Sequence, residues 1–243
     1  MIDVTPQPIT GPMTAIVEFQ VPPEEISMDD WLTLWAPRGA DALYGEPETP
    51  GYEAAVSLED PSKVIVYERY SKGDSSLAIH MQRPSHAEIA TALKDNNVSM
   101  NRTFIAKFVD IPDYGWWSRP EQTQTFADEG AFLVFLGMNF ETDAMRKKFI
   151  ELSSGHADYC LGAEPDTLVY SGGVSVADPA YGIEAEADLL FVMGCKDMAA
   201  MQKHSNDPRH LALASSMKNV GCTPEITFME TYRTTGKGYL WRA

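Results

Sequence analysis

The sequence predicts an α+β fold made of two copies of one β-α-β-β-α-β unit. Five short segments recur in the same order in the two halves of the chain. Each half also runs through the same alternation of strand-like and helix-like patterns. The length, 243 residues with 44% hydrophobic and 22% charged, suits one large globular domain or two small ones with a sizeable core.

The repeats are short but ordered. Gly39-Ala40-Asp41 recurs as Gly155-His156-Ala157-Asp158, and Glu46-Pro47-Glu48-Thr49 as Glu164-Pro165-Asp166-Thr167. Val56–Pro61 recurs as Val174–Pro179, His80–His86 as His204–His210, and Thr103-Phe104 as Thr227-Phe228. The offset is 118 at Glu46/Glu164 and 124 at His80/His204, which places a net insertion of six residues in the second copy. It falls in the acidic stretch Tyr181–Asp188, whose run Glu184–Asp188 reads as a solvated insertion. A tandem duplication of a unit of domain size follows. The expected organisation is a tail over 1–12, a first domain over 13–110, a linker over 111–129, and a second domain with a C-terminal extension over 130–243. The linker holds two prolines and no strong period, and its Trp116-Trp117 either covers a pocket mouth or pins the linker.

Each element has a local cause. Thr14–Gln20 is apolar and β-rich, and it stops at Pro22-Pro23, so it is a strand. Ser27-Met28-Asp29-Asp30 matches a helix-start box. Met28, Trp31, Leu32 and Trp35 then lie on one helix face, and Pro37 is expected to kink or end that helix. Tyr52–Leu58 and Lys63–Tyr70 form a hairpin across Glu59-Asp60-Pro61-Ser62. Ser75–Lys94 is helical with a break near Pro84, and Arg102–Val109 alternates like a strand. The second copy reads Ala131–Phe140 strand, Thr142–Tyr159 helix, Leu168–Val176 and Leu189–Cys195 strands, a helical Asp197–Lys218, and Glu225–Arg233 strand. This order is the ferredoxin-like unit. Its sheet carries helices on one face only, so the two copies are expected to cover each other's bare faces.

Composition narrows the function. The formal net charge is −16, so nucleic acid and an anionic membrane are disfavoured as partners. Cys160, Cys195 and Cys222 are odd in number and far apart, with no CxxC, so neither a disulfide framework nor a zinc knuckle is expected. No apolar run reaches the ~18 residues of a spanning helix, and the N-terminus lacks a secretory pattern. A reducing, cytoplasmic location is expected, where the sequons at Asn97 and Asn101 are not used. No G-x-G-x-x-G, P-loop, G-x-S-x-G or H-E-x-x-H is present, so nucleotide cofactors and the common hydrolase chemistries lose their usual support.

Glu68-Arg69-Tyr70, then Ala78-Ile79-His80, then His86 resembles the signature of the antibiotic biosynthesis monooxygenase family: an E-x-Y on the third strand, a helix with A-x-H, and a second His. Glu46-Pro47 resembles the family's E-P-G segment, stretched here to Glu-Pro-Glu-Thr-Pro-Gly. The resemblance covers roughly 13–110 and 130–235 and is weaker in the second half, where Met193-Gly194-Cys195 replaces E-x-Y. It implies a dimeric α+β barrel, two sheets packed face to face with a pocket between each sheet and its helices. It also implies O2-dependent oxidation of phenols or anthrones without metal, flavin or haem, as in secondary metabolism. Haem binding with His80 or His204 as axial ligand is the alternative cofactor reading. Isomerisation, cyclisation or decarboxylation in the same pocket, or ligand binding without catalysis, are alternative activities. The partners expected are a small aromatic substrate and O2. The fused pair makes a self-contained barrel, so a homodimer is allowed but not required.

Within this frame His80 and His204 are the candidate bases, since a neutral His near a pocket can take a proton from a phenol or an activated CH2. The bland reading makes the duplicated His a structural hydrogen-bonding residue. Tyr70 is a candidate donor to a substrate carbonyl or developing oxyanion, with core packing as its alternative. Trp31 and Trp35 form either an aromatic wall for a flat substrate or plain core. Tyr67, on the other face of its strand from Tyr70, and Tyr170 are further substrate-binding candidates. His156 shares an inner helix face with Phe149 and Leu152, either as a substrate contact or as a helix-end His facing the dipole. His86 and His210 follow a Pro near a bend and read as structural. Residues six apart lie about 240° around a helix, so H-x5-H does not make a metal pair, and no metal site is expected.

Overall fold

The computed structural model describes residues 8–185 and 187–243. Most of the expected N-terminal tail, and Glu186 of the acidic run, lie outside the described residues. The first repeat is β1 (Met13–Gln20), α1 (Met28–Gly45), β2 (Gly51–Ser57), β3 (Lys63–Tyr70), α2 (Asp74–Met81), α3 (Pro84–Asp95) and β4 (Asn101–Trp116). The second is β5 (Glu129–Asn139), α4 (Asp143–Ala163), β6 (Thr167–Ser175), β7 (Leu189–Cys195), α5 (Met198–Ser205), α6 (Pro208–Asn219) and β8 (Glu225–Thr235).

The eight strands close into one antiparallel barrel in the order β1-β3-β2-β8-β5-β7-β6-β4. Each repeat contributes four strands. Two seams join them: Ala55–Ser57 of β2 pair with Thr234–Tyr232 of β8, and Phe108–Asp110 of β4 pair with Ser175–Gly173 of β6. The seams are equivalent, last strand of one repeat to second strand of the other, so the barrel has internal two-fold pseudo-symmetry. Closure removes the free edges that two open sheets would present. The alternation of β3 shows how the layers separate. Ile65 and Tyr67 enter the barrel core with Phe108, Phe135 and Tyr232, whereas Val64 and Val66 pack under α1 with Trp31 and Trp35.

Local chemistry accounts for the boundaries. Ser27 Oγ accepts from Asp30 N and Thr142 Oγ1 from Met145 N, capping α1 and α4. Pro84 and Pro208 occupy the first turns of α3 and α6, where a missing N–H costs nothing, and this explains the duplicated proline. Pro37 does not end the helix: α1 runs through it to Gly45. Losing one backbone bond there costs about 3 kcal/mol, offset by the buried Trp31, Leu32, Trp35 and Ala42 on the same helix. Residues 111–116 of the expected linker continue β4. Trp116 stacks on Tyr170 at 5.7 Å, and Trp117 lies 3.6 Å beneath the Arg69 guanidinium, so both tryptophans pin this segment.

Two excursions tie the repeats together. In the insertion of the second copy, Asp178 and Ile183 pair through backbone bonds of 2.9 and 3.0 Å, and Ile183 and Ala187 are buried while Glu184 and Ala185 are exposed. The expected solvated run is therefore solvated only in part. The C-terminal residues return to the first repeat, where Tyr52 N donates to Tyr239 O (2.8 Å) and Arg242 Nη1 to Glu46 O (2.5 Å). A Cβ on Gly39 would collide with the carbonyl oxygen of Lys237, so only glycine lets this segment cross α1. Among the described residues no helix is long and apolar enough to cross a membrane.

Candidate functional site

The duplicated Glu-Pro-x-Thr segment builds the same unit twice. Glu46 caps α1, its N–H donating to Ala42 O, and Glu164 caps α4 through Cys160 O. Thr49 Oγ1 donates to Glu46 Oε2 and Thr167 Oγ1 to Glu164 Oε2, both at 2.9 Å. The same carboxylate oxygens meet His80 Nδ1 at 3.0 Å and His204 Nδ1 at 2.8 Å. All six residues are buried. The recurrence of Glu and Thr, visible in the sequence only as a match between halves, is the signal that these residues hold the two histidines.

The surroundings differ. In the first repeat Arg38, fully buried, sends Nη2 to Glu46 Oε1 at 2.5 Å and lies 3.2 Å from His80 Nε2. Burial pushes the Glu46 carboxyl up, but the hydrogen bonds and charges of His80 and Arg38 outweigh it and hold its pKa at about 2. Glu68 Oε1 stands 3.9 Å from His80 Nε2, and Tyr70 Oη donates to Glu68 Oε2 at 2.8 Å. Burial, then the Glu68 charge, drives Tyr70 well above the ordinary phenol range. In the E-x-Y pair it is therefore Glu68, not Tyr70, that faces the open space.

That space is a cavity of about 610 Å³ between the sheet and α1–α3. His80, Glu68, Tyr52, Trp35, Phe19 and His86 are on its wall, with Arg102 and Lys107 from β4. Tyr181 and Ile183 of the second-repeat insertion complete it. Lys107 Nζ is buried and bonds Asp74 (2.6 Å) and Asp178 (2.7 Å), clamping the insertion to the start of α2. The break at Pro84 lets His86 turn back until its ring lies 5.5 Å from His80. Burial, then the His80 and Arg38 charges, push His86 below the usual imidazole range.

In the second repeat, counting back from the Glu46 and Glu164 caps, His156 takes the place of Arg38 and Cys160 that of Ala42. Met193 and Cys195 stand where Glu68 and Tyr70 do. Cys160 Sγ is 3.5 Å from His156 Nε2 and 3.8 Å from His204 Nδ1. Burial, then the His204 and His210 charges, lower His156 to about 4. The cavity here is about 290 Å³, walled by Phe149, Ser153, Tyr170, Phe191 and His210, and His204 is not on its wall.

The structure therefore sets His80 and Trp35 on one cavity. Trp31 stands behind Trp35, stacked at 4.9 Å. Tyr70 is behind Glu68, and Tyr67 is inside the barrel on the opposite face. His156 and His204 meet in the second repeat beside Tyr170, whose true counterpart is Tyr52. Sequence reasoning does not single out Arg38, Glu46, Glu68 or Lys107 as site residues. The expectation of no metal site rests on residues six apart, whereas His156 and Cys160 lie one turn apart on α4 and meet His204 of α5.

No protein-family model matches this chain, and no curated protein matches it in sequence. Solved structures do match. A Lactobacillus acidophilus protein provisionally named a monooxygenase shares 10% identity at TM-score 0.67, over 96% of this chain and 100% of its own. A Fusobacterium nucleatum protein, also provisionally named a monooxygenase, shares 12% identity at TM-score 0.67, over 95% and 93%. An anthrone oxidase-like protein shares 9% identity at TM-score 0.55, over 92% and 91%. At such identities the likeness is one of fold, and the fold is the dimeric α+β barrel, here made by a single chain.

Proposed function

We propose that this protein is a cofactor-independent monooxygenase of phenol- or anthrone-type aromatic compounds, that its site is the first-repeat cavity, and that His80 is the base. The observation that supports this most is the about 610 Å³ cavity with Trp35, Tyr52 and Phe19 on its wall and a Glu46-held His80 opening onto it. Flat aromatic walls with a few convergent polar groups suit a planar substrate. The names of the structural neighbours point the same way, two provisional monooxygenases and an anthrone oxidase-like protein.

The chemistry follows from these groups. His80 takes a proton from the activated CH2 or phenol, and the Arg38 guanidinium beside it steadies the negative charge that develops. The carbanion passes one electron to O2. Radical and superoxide combine to a hydroperoxide, which loses water. One oxygen atom stays as the new carbonyl, the other leaves as water, and His80 returns its proton to it. Oxygen uptake with anthrone as substrate tests this. His80→Ala is expected to lower turnover by about 10²–10⁴-fold, the usual weight of a general base, with the circular-dichroism spectrum unchanged. Turnover by His80→Ala equal to the parent's removes the base, and product formation without O2 replaces oxidation with isomerisation or decarboxylation.

A further inference from the structure

We infer that the second repeat is a metal site: His156, Cys160 and His204 bind one divalent transition ion of the zinc or copper class. The three side chains offer ligand atoms that all lie within 4.8 Å of one another, and all three are buried. At tetrahedral angles around zinc, with Zn–N near 2.05 Å and Zn–S near 2.3 Å, each nitrogen lies about 3.6 Å from the sulfur and the two nitrogens about 3.3 Å apart. The sulfur here stands 3.5 Å from His156 Nε2 and 3.8 Å from His204 Nδ1, so small ring rotations close the set. His156 and Cys160 are four residues apart on α4 and project on one face, as two ligands from one helix must.

The neighbours complete the donor set. Glu164 Oε2 accepts from His204 Nδ1, and its Oε1 is buried with no partner. His210, whose ring centroid is 4.6 Å from that of His204, has a buried Nδ1 with no partner. These two are the available fourth ligands, and the carboxylate offsets part of the charge of the ion. On binding, the Cys160 thiol loses its proton to solvent and the metal–sulfur bond replaces it. His204 gives up its Nδ1–H···Glu164 bond, taking a proton on Nε2 from solvent as Nδ1 releases its own, so that the Nδ1 lone pair meets the ion and Glu164 is freed. Donors of this type favour zinc or copper over magnesium or calcium, which take oxygen.

The first repeat is the internal control. It keeps Glu46, His80 and His86, but Arg38 puts a fixed cation where His156 stands and Ala42 leaves no sulfur. A second ion there is not expected. The inference does not depend on the oxidase reading, because it concerns the other repeat and is read without substrate.

Chelator-stripped protein titrated with Co(II) tests it. One equivalent is expected, with tetrahedral visible bands and a near-ultraviolet thiolate-to-cobalt band. Cys160→Ser should lose the thiolate band and bind at least tenfold more weakly, while His80→Ala should leave the spectrum as it is. The metal content of protein purified without chelator then distinguishes zinc from copper. No stoichiometric binding by the parent, a thiolate band that survives in Cys160→Ser, or a spectrum altered by His80→Ala overturns the assignment. The parent titration needs no variant to fold.

Discussion

The two repeats hold the same Glu–Thr–His unit and differ in what lies one and two helical turns before the Glu. In the first, Arg38 and Glu46 make a buried ion pair beside His80, open to a wide aromatic cavity. In the second, His156 and Cys160 replace Arg38 and Ala42, no fixed cation takes the place of Arg38, and the cavity shrinks to about 290 Å³. A permanent cation favours charge that develops on an organic substrate, whereas neutral nitrogen and sulfur donors favour a cation. Two substitutions on one helix face therefore convert a site that stabilises anions into one that collects metal. The insertion sharpens the difference further, because it lends Tyr181 and Ile183 to the first cavity while belonging to the second repeat.

The largest stability effect that would break this comparison is at the matched carboxylates. Glu46→Gln leaves the fully buried Arg38 without its main partner, a change that costs about 3–5 kcal/mol. Glu164→Gln, with no arginine behind it, should cost only about 1–2 kcal/mol, the loss of a charged hydrogen bond. Urea unfolding of the two variants measures both, and equal losses would mean that Arg38 does not distinguish the repeats. The pH dependence has a definite sign. Glu46 titrates at about 2 in the fold, below the ordinary 4.5, so its stabilisation is present above about 4.5 and is lost as pH falls toward 2. Glu46→Gln should flatten that acid limb.

The two seams differ in the same manner. Glu53 on β2 accepts from Thr235 N and Gly236 N, each at 2.9 Å, and its Oε2 is buried without a partner. Its counterpart on β6 is Ser171, which donates to Tyr114 O. Burial outweighs the backbone bonds and raises Glu53 from 4.5 to about 8. The fold thus holds a proton that the unfolded chain releases. This contribution is complete below about 4.5 and disappears as pH rises through 8. Melting temperature between pH 5 and 9 should fall in the parent, by an amount worth a few kcal/mol, and fall less in Glu53→Gln. An unchanged slope would put the titrating group elsewhere.

Much of this is legible in the sequence for physical reasons that are local. The strand Leu189–Cys195 is unbroken apolar, so its bounds follow directly, and Pro84 signals a break because proline cannot continue the preceding turn. The barrel follows from one bare sheet face per repeat. What is not legible depends on contacts distant in the chain. Arg38 reads as one more charged helix residue until Glu46 and His80 close around it. Cys160 reads as an isolated cysteine until α5 brings His204 to it. Ile183 sits in an acidic run, and only the barrel places it over the other repeat's cavity. For Tyr70, strand alternation gives the face of the sheet but not whether Glu68 stands in front.

The smallest predicted effect compares the two cavities through one matched pair of alanines. Ala90 of α3 lies on the wall of the larger cavity and Ala214 of α6 on that of the smaller, and both are exposed on their helices. Replacing either by Trp adds an indole to a cavity mouth and removes no buried contact, so neither variant should lose much stability. If substrate enters only the first repeat, Ala90→Trp should lower kcat/KM by about tenfold while Ala214→Trp changes it by less than about twofold. The loss should fall on KM more than on kcat, because the indole obstructs entry and leaves His80 untouched. Equal losses in the two variants would mean that both repeats turn over substrate. A loss confined to Ala214→Trp would move the site to the second repeat and make the His156–Cys160–His204 cluster part of the chemistry.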